Sequence, residues 1–534
     1  MNYKTSKLLA QRFILLSLLL LCLFSTARSA PDFLSYDELT KLYEQENLPP
    51  ELDEKLRQLL TTPFVNNTQN TNISLPLSKS NVLGEYLRVV HWNIERGLEY
   101  DAVEAAFTSN ERFEALLNEE DFPLKSRKRK EILEQAAALR TADIIVLNEV
   151  DWGMKRTEYR NVAADLAAKL NMNYAFGVQF VELTPVYLSK KAETASAEEK
   201  ETAELLKIDA ERYKGLHGMA ILSRFPLENV RLVPFNNQPY DWYKEELKGA
   251  SAIEKGKRKL AQIAFLENVS TEVRRGGRTT LLADIVDPRL PSGRISIAAT
   301  HLENRTKSKN REKQLRELLE TIKNISNPVI LSGDMNTSGS DLTPTSIRRE
   351  LMRRYGNPKY WIKQAIQYAL GFGLVEDAAI GTIGFGRRYA DPTVRSIPLF
   401  SPNRARKFFT TLKKFRFADG NAFDFRGDEL RSTNEKKKTL ANSNERGGKG
   451  FITTYQVKRP FYILGKYKLD WIFIKPANLK DPTNRKESYQ FAPHFGRTLT
   501  LINEATEDRL SDHRPMLVDL PLGEPNFNAE TRTK

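Results

Sequence analysis

The sequence predicts an α/β or α+β sandwich, and three observations carry that expectation. Short apolar, β-branched runs alternate with stretches of helical periodicity from Leu87 onward, the pattern of strands layered against helices. Hydrophobic residues make up 40% and charged residues 28% of the 534 positions, which supplies a core and excludes wholesale disorder. Cys22 is the only cysteine, so neither a disulfide framework nor a cysteine-built metal cluster can organise the fold. With five histidines in the chain, a multi-histidine zinc site would consume most of them.

In chain order, the first element is a leader. Lys4, Lys7 and Arg12 precede an apolar run from Phe13 to Phe24 broken only by Ser17, and Ser25 to Ala30 are mostly small. That run is too short to span a bilayer, which takes about 20 apolar residues, but it suits a signal-peptide core. Cleavage near Ser29/Ala30 is expected, giving an exported chain, periplasmic or secreted. Residues 30–85 read as a helical preface and polar linker. Tyr36 to Asn47 and Pro50 to Leu60 carry helical spacing, and Thr61 to Ser80 is rich in Asn, Thr and Ser. A catalytic-sized domain is expected over 86–522, with a long Gly-punctuated insertion at about 339–467 and a tail at 523–534. Its strands are expected at Leu87 to Trp92, Asp143 to Leu147, Met219 to Leu222, Ile295 to Thr300, Pro328 to Leu331, Leu469 to Ile474 and Pro515 to Leu520. Helices are expected at Arg127 to Leu139, Val162 to Leu170, Glu198 to Tyr213 and Arg311 to Asn324.

Charge is unevenly placed. The formal net charge is +14, and residues Asp341 to Leu469 alone sum to +15. The excess sits in Arg348 to Arg354, Arg404 to Arg416, Arg431 to Lys438 and Lys458 to Lys468. Such a concentration suits a polyanionic partner, nucleic acid or an anionic surface, while charge alone leaves a merely solvated insertion equally open.

Polar residues interrupt the strands at corresponding places. Asn93 and Glu95 follow one strand, Glu149 ends the next, His301 another, and Asp334 with Asn336 a fourth. Asp470 opens a strand, and Asp512 with His513 precede the last. In an antiparallel sheet the end of one strand lies beside the start of its neighbour, so these groups can gather on one rim. An oxygen-rich cluster with few histidines favours a hard cation such as Mg²⁺ or Mn²⁺. His91 sits inside an apolar strand and reads as a satisfied core histidine. His217 and His494 read as structural, and Arg156, Arg311 and Gln314 as rim or helix-surface residues.

The segments His91-Trp92-Asn93-Ile94-Glu95-Arg96-Gly97, Leu147-Asn148-Glu149-Val150-Asp151, Thr300-His301-Leu302-Glu303, Gly333-Asp334-Met335-Asn336, Leu469-Asp470-Trp471 and Ser511-Asp512-His513-Arg514-Pro515 occur in that order. Together with Gly218 to Arg224 (GMAILSR) they resemble the successive motifs of the endonuclease/exonuclease/phosphatase superfamily, over about Leu87 to Leu520. The resemblance implies an α+β fold, a four-layer αββα sandwich of two mostly antiparallel sheets, with the active site on one rim. It implies divalent-metal-dependent hydrolysis of a phosphoester bond. Carried over by position, Glu149 would be the principal metal ligand, assisted by Asn93 and Glu95. Asp334 would orient or deprotonate the attacking water, and Asn336 and Asn304 would contact the phosphate. His513 would contact a phosphate oxygen, held cationic by Asp512, while Asp470 would support that histidine or hold a second metal. His301 would serve as the acid for the leaving oxygen. Asn148 stands where many members of the superfamily carry Gln.

Phosphodiester hydrolysis requires charge stabilisation of an anionic transition state and an in-line nucleophile. The expected substrate is nucleic acid, gripped by the basic insertion with Phe408, Phe409, Phe415, Phe417 and Tyr455 available to stack on bases. A sphingomyelinase-like lipid substrate, with Tyr360 to Leu370 as an interfacial patch, stays open, as do an inositol phosphate and a catalytically silent binding protein. No segment signals an obligate protein partner. Asn336 also heads an Asn-x-Ser sequon, and a glycan there would block the expected phosphate contact. An Arg-Gly-Asp tripeptide at 426–428 is too short a signal to assign a partner.

Overall fold

The computed structural model describes residues 30–69, 76–194, 204, 206–247, 272–338, 392–393, 405–448, 450–461 and 464–527. The leader, Tyr360 to Leu370 and most of the Gly-punctuated stretch lie outside the described residues. Among the described residues, no helix is long and apolar enough to cross a membrane.

Two sheets pack face to face. The larger has nine strands, with the path Phe64–Asn66, Asn173–Glu182, Leu216–Ser223, Ile144–Trp152, Gly84–Arg96, Met516–Pro521 and His494–Thr498. Ser78–Ser80 and Arg274–Gly276 pair off this path. The smaller has five strands in the order Asp470–Lys475, Val329–Asp334, Arg294–His301, Thr279–Val286 and Leu227–Pro234. Each sheet contains one parallel pair, Gly84–Arg96 with Ile144–Trp152 and Arg294–His301 with Val329–Asp334. The other pairings are antiparallel.

Period-two alternation divides each strand between two cores. Leu87 and Val89, Ile144 and Val146, Ile295 and Ile297, and Ile472 and Ile474 meet between the sheets. Their alternate neighbours Val90, Trp92, Ile145 and Leu147 face outward, under helices Arg127–Arg140 and Val162–Leu170. On the other side, Ala298, Leu331, Trp471 and Phe473 are covered by helices Ser308–Ile322 and Arg406–Lys414. The result is four layers, helix, sheet, sheet, helix. Because strands are buried on both faces, they read as continuous apolar runs. The sheet interior also needs close backbone approach: a Cβ on Gly218 would lie 2.0 Å from the Gly177 carbonyl oxygen, and one on Gly333 would lie 1.9 Å from that of Thr300.

Several local expectations change. Of the helix expected at Glu198 to Tyr213, Glu204 and Leu206 are helical, and its end is instead a turn in which Asp209 accepts the N–H groups of Glu211 and Arg212. The polar linker contains two short strands, since Phe64–Asn66 extends the large sheet against Asn173–Glu182 and Ser78–Ser80 pairs with Gly84–Arg96. The preface is therefore built into the domain. Phe408, Phe409 and Phe417 are buried at 1%, 2% and 2% exposure against Trp471 and Phe473, so they cannot stack on bases as expected. Apolar residues on a charged stretch found a core rather than a ligand. Arg426 is likewise interior, bonded to Asp424 and to the carbonyls of Glu487 and Ser488, so the Arg-Gly-Asp tripeptide presents no free arginine.

Candidate active site

Strand register assembles the rim. The parallel pair places Asn93 opposite Asn148, one residue before Glu149. In the facing sheet His301 pairs with Asp334, and Asp334 with Asp470. The last strand sets Met516 against His91, which brings the preceding His513 to the same end. At the strand ends the backbone leaves the extended region: Glu95, Glu149 and Asn336 have φ of 47°, 50° and 46°. Left-handed backbone at non-glycine residues costs of order 1–3 kcal/mol each and concentrates where side chains must be aimed.

The Asp334 carboxylate lies at the centre. Asn93 donates from Nδ2 to Glu149 Oε1 at 3.1 Å and to Asp334 Oδ2 at 3.4 Å. His301 Nε2 stands 3.5 Å from Asp334 Oδ2 and 4.0 Å from Glu149 Oε1. His513 Nε2 approaches the same Asp334 oxygen at 3.8 Å. Asp334 Oδ1 accepts the Asn336 N–H at 2.8 Å, and Asn148 Oδ1 accepts the Asp334 N–H at 2.7 Å. Asn148 thus fixes the backbone beneath the central carboxylate, a role that its place in the motif did not disclose.

Asp470, not Asp512, holds His513. His513 Nδ1 donates to Asp470 Oδ2 at 2.7 Å, whereas Asp512 Oδ1 is 3.9 Å from the other ring nitrogen. Asp470 thus takes the supporting role that was one of the two expected of it, while Asp512 favours the cationic ring by its charge and makes no bond to it. His91 Nε2 donates to the second Asp470 oxygen at 3.0 Å, so this histidine belongs to the site and not to the plain core. Trp92 Nε1 and the Ser511 hydroxyl pin the same loop, donating to the carbonyls of His513 and Asn93 at 2.8 and 2.7 Å. Glu95 Oε2 accepts the Asp512 N–H at 2.8 Å, and Glu95 belongs to neither group of side chains that could hold a cation.

Burial and neighbouring charge divide the groups by protonation. Burial would lower His513, but Asp470, and then Asp512 and Asp334, hold it well above the usual histidine range. Burial would raise Asp470, yet His513 and His91 keep it well below the usual carboxylate range. Asp334 is pushed up to about 7 by burial and by Asp470. Burial would also raise Glu149, but His217, Arg96 and His513 leave it lowered and ionised. His301 is held far below its ordinary value by burial and by Arg278, His217 and His513. It is a neutral imidazole, able to donate a hydrogen bond but not a ready imidazolium acid. Glu95 is pushed up to about 7 by burial and by Asp512.

Two groups could hold a cation, Glu149 with His301 and Asp334, and Asp334 with Asp470 and His513. The first fits better. Both ring nitrogens of His301 are buried without a hydrogen-bond partner, at distances from two carboxylates that suit an interposed ion. In the second group His513 already donates to Asp470, so that pair is internally satisfied. The first set offers two carboxylates to one imidazole, the mainly oxygen environment that a hard divalent cation requires, and Asn93 braces Glu149 from its Nδ2 while its Oδ1 accepts the Glu95 N–H.

Other expected residues fall around this centre. Asn336 is 5% exposed and its Nδ2 donates to the Leu302 carbonyl at 3.0 Å, so its sequon is sterically closed to a glycan. Asn304 lies in the loop after His301, with a buried Oδ1 that has no partner. Arg156 binds Asp151 and Glu182, Arg311 donates to the Thr306 carbonyl, and Gln314 accepts the Glu303 N–H, all as interior braces. His217 donates from Nδ1 to Asp151 at 2.8 Å. His494 Nδ1 bonds the Ala492 carbonyl, away from the rim.

The profile of the Endonuclease/Exonuclease/phosphatase family matches residues 90–513. No curated protein matches the chain. Among solved structures, an endonuclease/exonuclease/phosphatase protein from Beutenbergia cavernae is 16% identical over 82% of this chain and 72% of its own, with a TM-score of 0.36. The human Nocturnin catalytic domain is 15% identical over 81% and 92%, at 0.34. The 3′-5′ exonuclease NExo of Neisseria meningitidis is 13% identical over 81% and 99%, at 0.36. With the family profile covering most of its length, the chain belongs to the Endonuclease/Exonuclease/phosphatase family and is a hydrolase of phosphoester bonds.

Proposed function

We propose that the protein is an exported phosphodiesterase that uses Mg²⁺ or Mn²⁺ to cleave nucleic acid by in-line attack of water. The convergence of Asn93, Glu149, His301 and His513 on the single Asp334 carboxylate carries this reading. Glu149 and His301 would hold the cation, with Asn93 bracing Glu149 beside them, and the cation would supply positive charge to the phosphate oxygens and so lower the barrier to attack. The Asp334 carboxylate, with a proton affinity near neutrality, accepts the proton of the attacking water. His513, kept protonated by Asp470, donates from Nε2 to a non-bridging phosphate oxygen. Asn336, through the second N–H of its Nδ2, and Asn304, through its amide N–H groups, would orient the phosphate. With His301 neutral and facing the cation site, the leaving oxygen takes its proton from solvent water. Nucleic acid is favoured as substrate by the +15 charge between Asp341 and Leu469.

The test is hydrolysis of a panel by the purified chain, with Mg²⁺ or with EDTA. The panel holds plasmid DNA, RNA, sphingomyelin vesicles and an inositol phosphate. Magnesium-dependent cleavage of DNA or RNA, lost in Glu149→Ala, is the expected result. Turnover of sphingomyelin or the inositol phosphate alone would refute the nucleic-acid reading and keep the hydrolase.

A further inference from the structure

Outside the rim, the strongest unassigned feature is the outer surface of helix Arg406–Lys414. The stretch Arg406-Lys407-Phe408-Phe409-Thr410-Thr411-Leu412-Lys413-Lys414-Phe415-Arg416 holds five cations and no acid. Its three apolar residues Phe408, Phe409 and Leu412 are buried, which leaves Arg406, Lys407, Lys414 and Arg416 exposed. A helix with one face consumed by packing turns its remaining charge to solvent.

This helix is anchored to the catalytic strand. Phe409 packs edge-on against Trp471, with ring centroids 4.9 Å apart. Trp471 follows Asp470 and donates from Nε1 to the Thr337 carbonyl at 3.0 Å, one residue beyond Asn336. On its other side the helix borders Ser308–Ile322, which follows the His301 strand. Between the two helices runs a groove of about 490 Å³, lined by Arg316, Lys407, Thr410, Lys414 and Phe415, with Glu320 as its one acid. Glu320 is 3.3 Å from Lys323 and so is partly neutralised. Glu312, below the groove, is shared by Arg316, by the Thr411 hydroxyl and by Lys407, whose Nζ is 3.6 Å from it, so Lys414 is the lining cation farthest from an acid. The groove therefore presents a small net positive charge beside half-buried Phe415, and it runs down helix Ser308–Ile322 away from the end that follows the His301 strand.

We infer that this groove is an exosite for the phosphate backbone of a nucleic acid strand whose scissile bond lies at the rim. The inference rests on the nucleic-acid reading above. The helix is roughly 13 Å long, with Arg406 and Lys407 at one end and Lys414 and Arg416 at the other, so its cations are far enough apart to meet more than one phosphate of a strand. Contacts of this kind are sequence-independent and release counterions, so they grip any strand and weaken steeply with salt.

The test compares the full chain with the Lys407→Gln/Lys414→Gln double variant. The first readout is the salt dependence of binding to a fluorescent single-stranded oligonucleotide in EDTA. The second is turnover of bis(p-nitrophenyl) phosphate, a diester too small to leave the rim. The exosite predicts a slope of log affinity against log salt reduced by about 1.4, at roughly 0.7 per phosphate contact, with small-diester turnover unchanged. An unchanged slope overturns the exosite and leaves the nuclease reading intact. Absence of salt-dependent strand binding by the unaltered chain, with binding to phosphatidylserine vesicles instead, overturns both the exosite and the nucleic-acid substrate. Loss of small-diester turnover in the double variant also overturns it, because the lysines would then support the rim itself.

Discussion

Asp470→Asn separates charge from shape at the point on which the proposed mechanism depends. In the native chain the Asp470 carboxylate, fully buried, accepts from His513 Nδ1 at 2.7 Å and from His91 Nε2 at 3.0 Å. Charge centres about 4 Å apart attract by roughly 4 kcal/mol at an effective dielectric of about 20. That is about three pK units at 1.36 kcal/mol each, ample to keep His513 an imidazolium against its burial. Asparagine fills the same volume and retains one acceptor oxygen, but it supplies no charge. The His513 imidazolium is then lost near neutral pH, and with it a charged donor to the transition state. Removing one such donor costs about 10²- to 10³-fold in kcat, and KM should move much less. Folding should lose about 1.5–3 kcal/mol for one charge-assisted hydrogen bond, partly offset because Asp470 no longer repels Asp334. The assay is kcat and KM on bis(p-nitrophenyl) phosphate with Mg²⁺, alongside a urea melt. A folded variant whose kcat lies within about threefold of wild type, a difference under roughly 1 kcal/mol, would refute the role given to the Asp470–His513 pair.

Three further outcomes follow from the same geometry. Asp424 is buried between Arg426 and Arg431 and is held below the usual carboxylate range, since those cations outweigh its burial. Asp424→Asn should cost about 3–5 kcal/mol, as for a broken buried pair, read as a fall in urea midpoint. Because the native carboxyl is depressed, its contribution is complete above the unfolded value of about 3.9 and is lost as pH falls below it. The stability gap between the two proteins should therefore shrink in acid. Asn148→Ala removes the acceptor for the Asp334 N–H and should lower kcat about tenfold or more through misplacement of that carboxylate, with circular dichroism unchanged. Gly218→Ala would drive a Cβ to 2.0 Å from the Gly177 carbonyl in the middle of the large sheet. It should destabilise by several kcal/mol, as overpacking of a strand interior does, and soluble yield and thermal melting report it.

The layered fold was legible because its strands are buried on both faces and so appear as dense β-branched runs, Leu87 to Trp92 and Ile295 to Thr300 among them. The rim residues were legible because polar side chains interrupt those runs at their ends. Partnership was legible only in part. The motifs offered His513 two acids, Asp512 and Asp470, and only strand register decides that Asp470, 43 positions away, makes the bond. His91 sits in an apolar run like a core residue, and nothing local signals that its ring meets Asp470. The parallel pairs were invisible for the same reason, since a short strand carries no mark of its neighbour's direction. The aromatic residues of the 405–461 stretch were misjudged because charge dominates its composition, while Phe408, Phe409 and Phe423 pack on the small sheet. Segments of mixed charge and aromatics found cores whenever the apolar residues share a helical face.

The central claim is that Glu149, with Asn93 and His301 beside Asp334, makes a divalent-cation centre that hydrolyses phosphodiesters. Calorimetric titration of Mn²⁺ into the purified chain, in parallel with bis(p-nitrophenyl) phosphate turnover, tests it most directly. Saturable binding, with turnover rising along the same isotherm and both lost in a folded Glu149→Ala variant, is the result this account predicts. Binding and turnover that survive Glu149→Ala unchanged would contradict it.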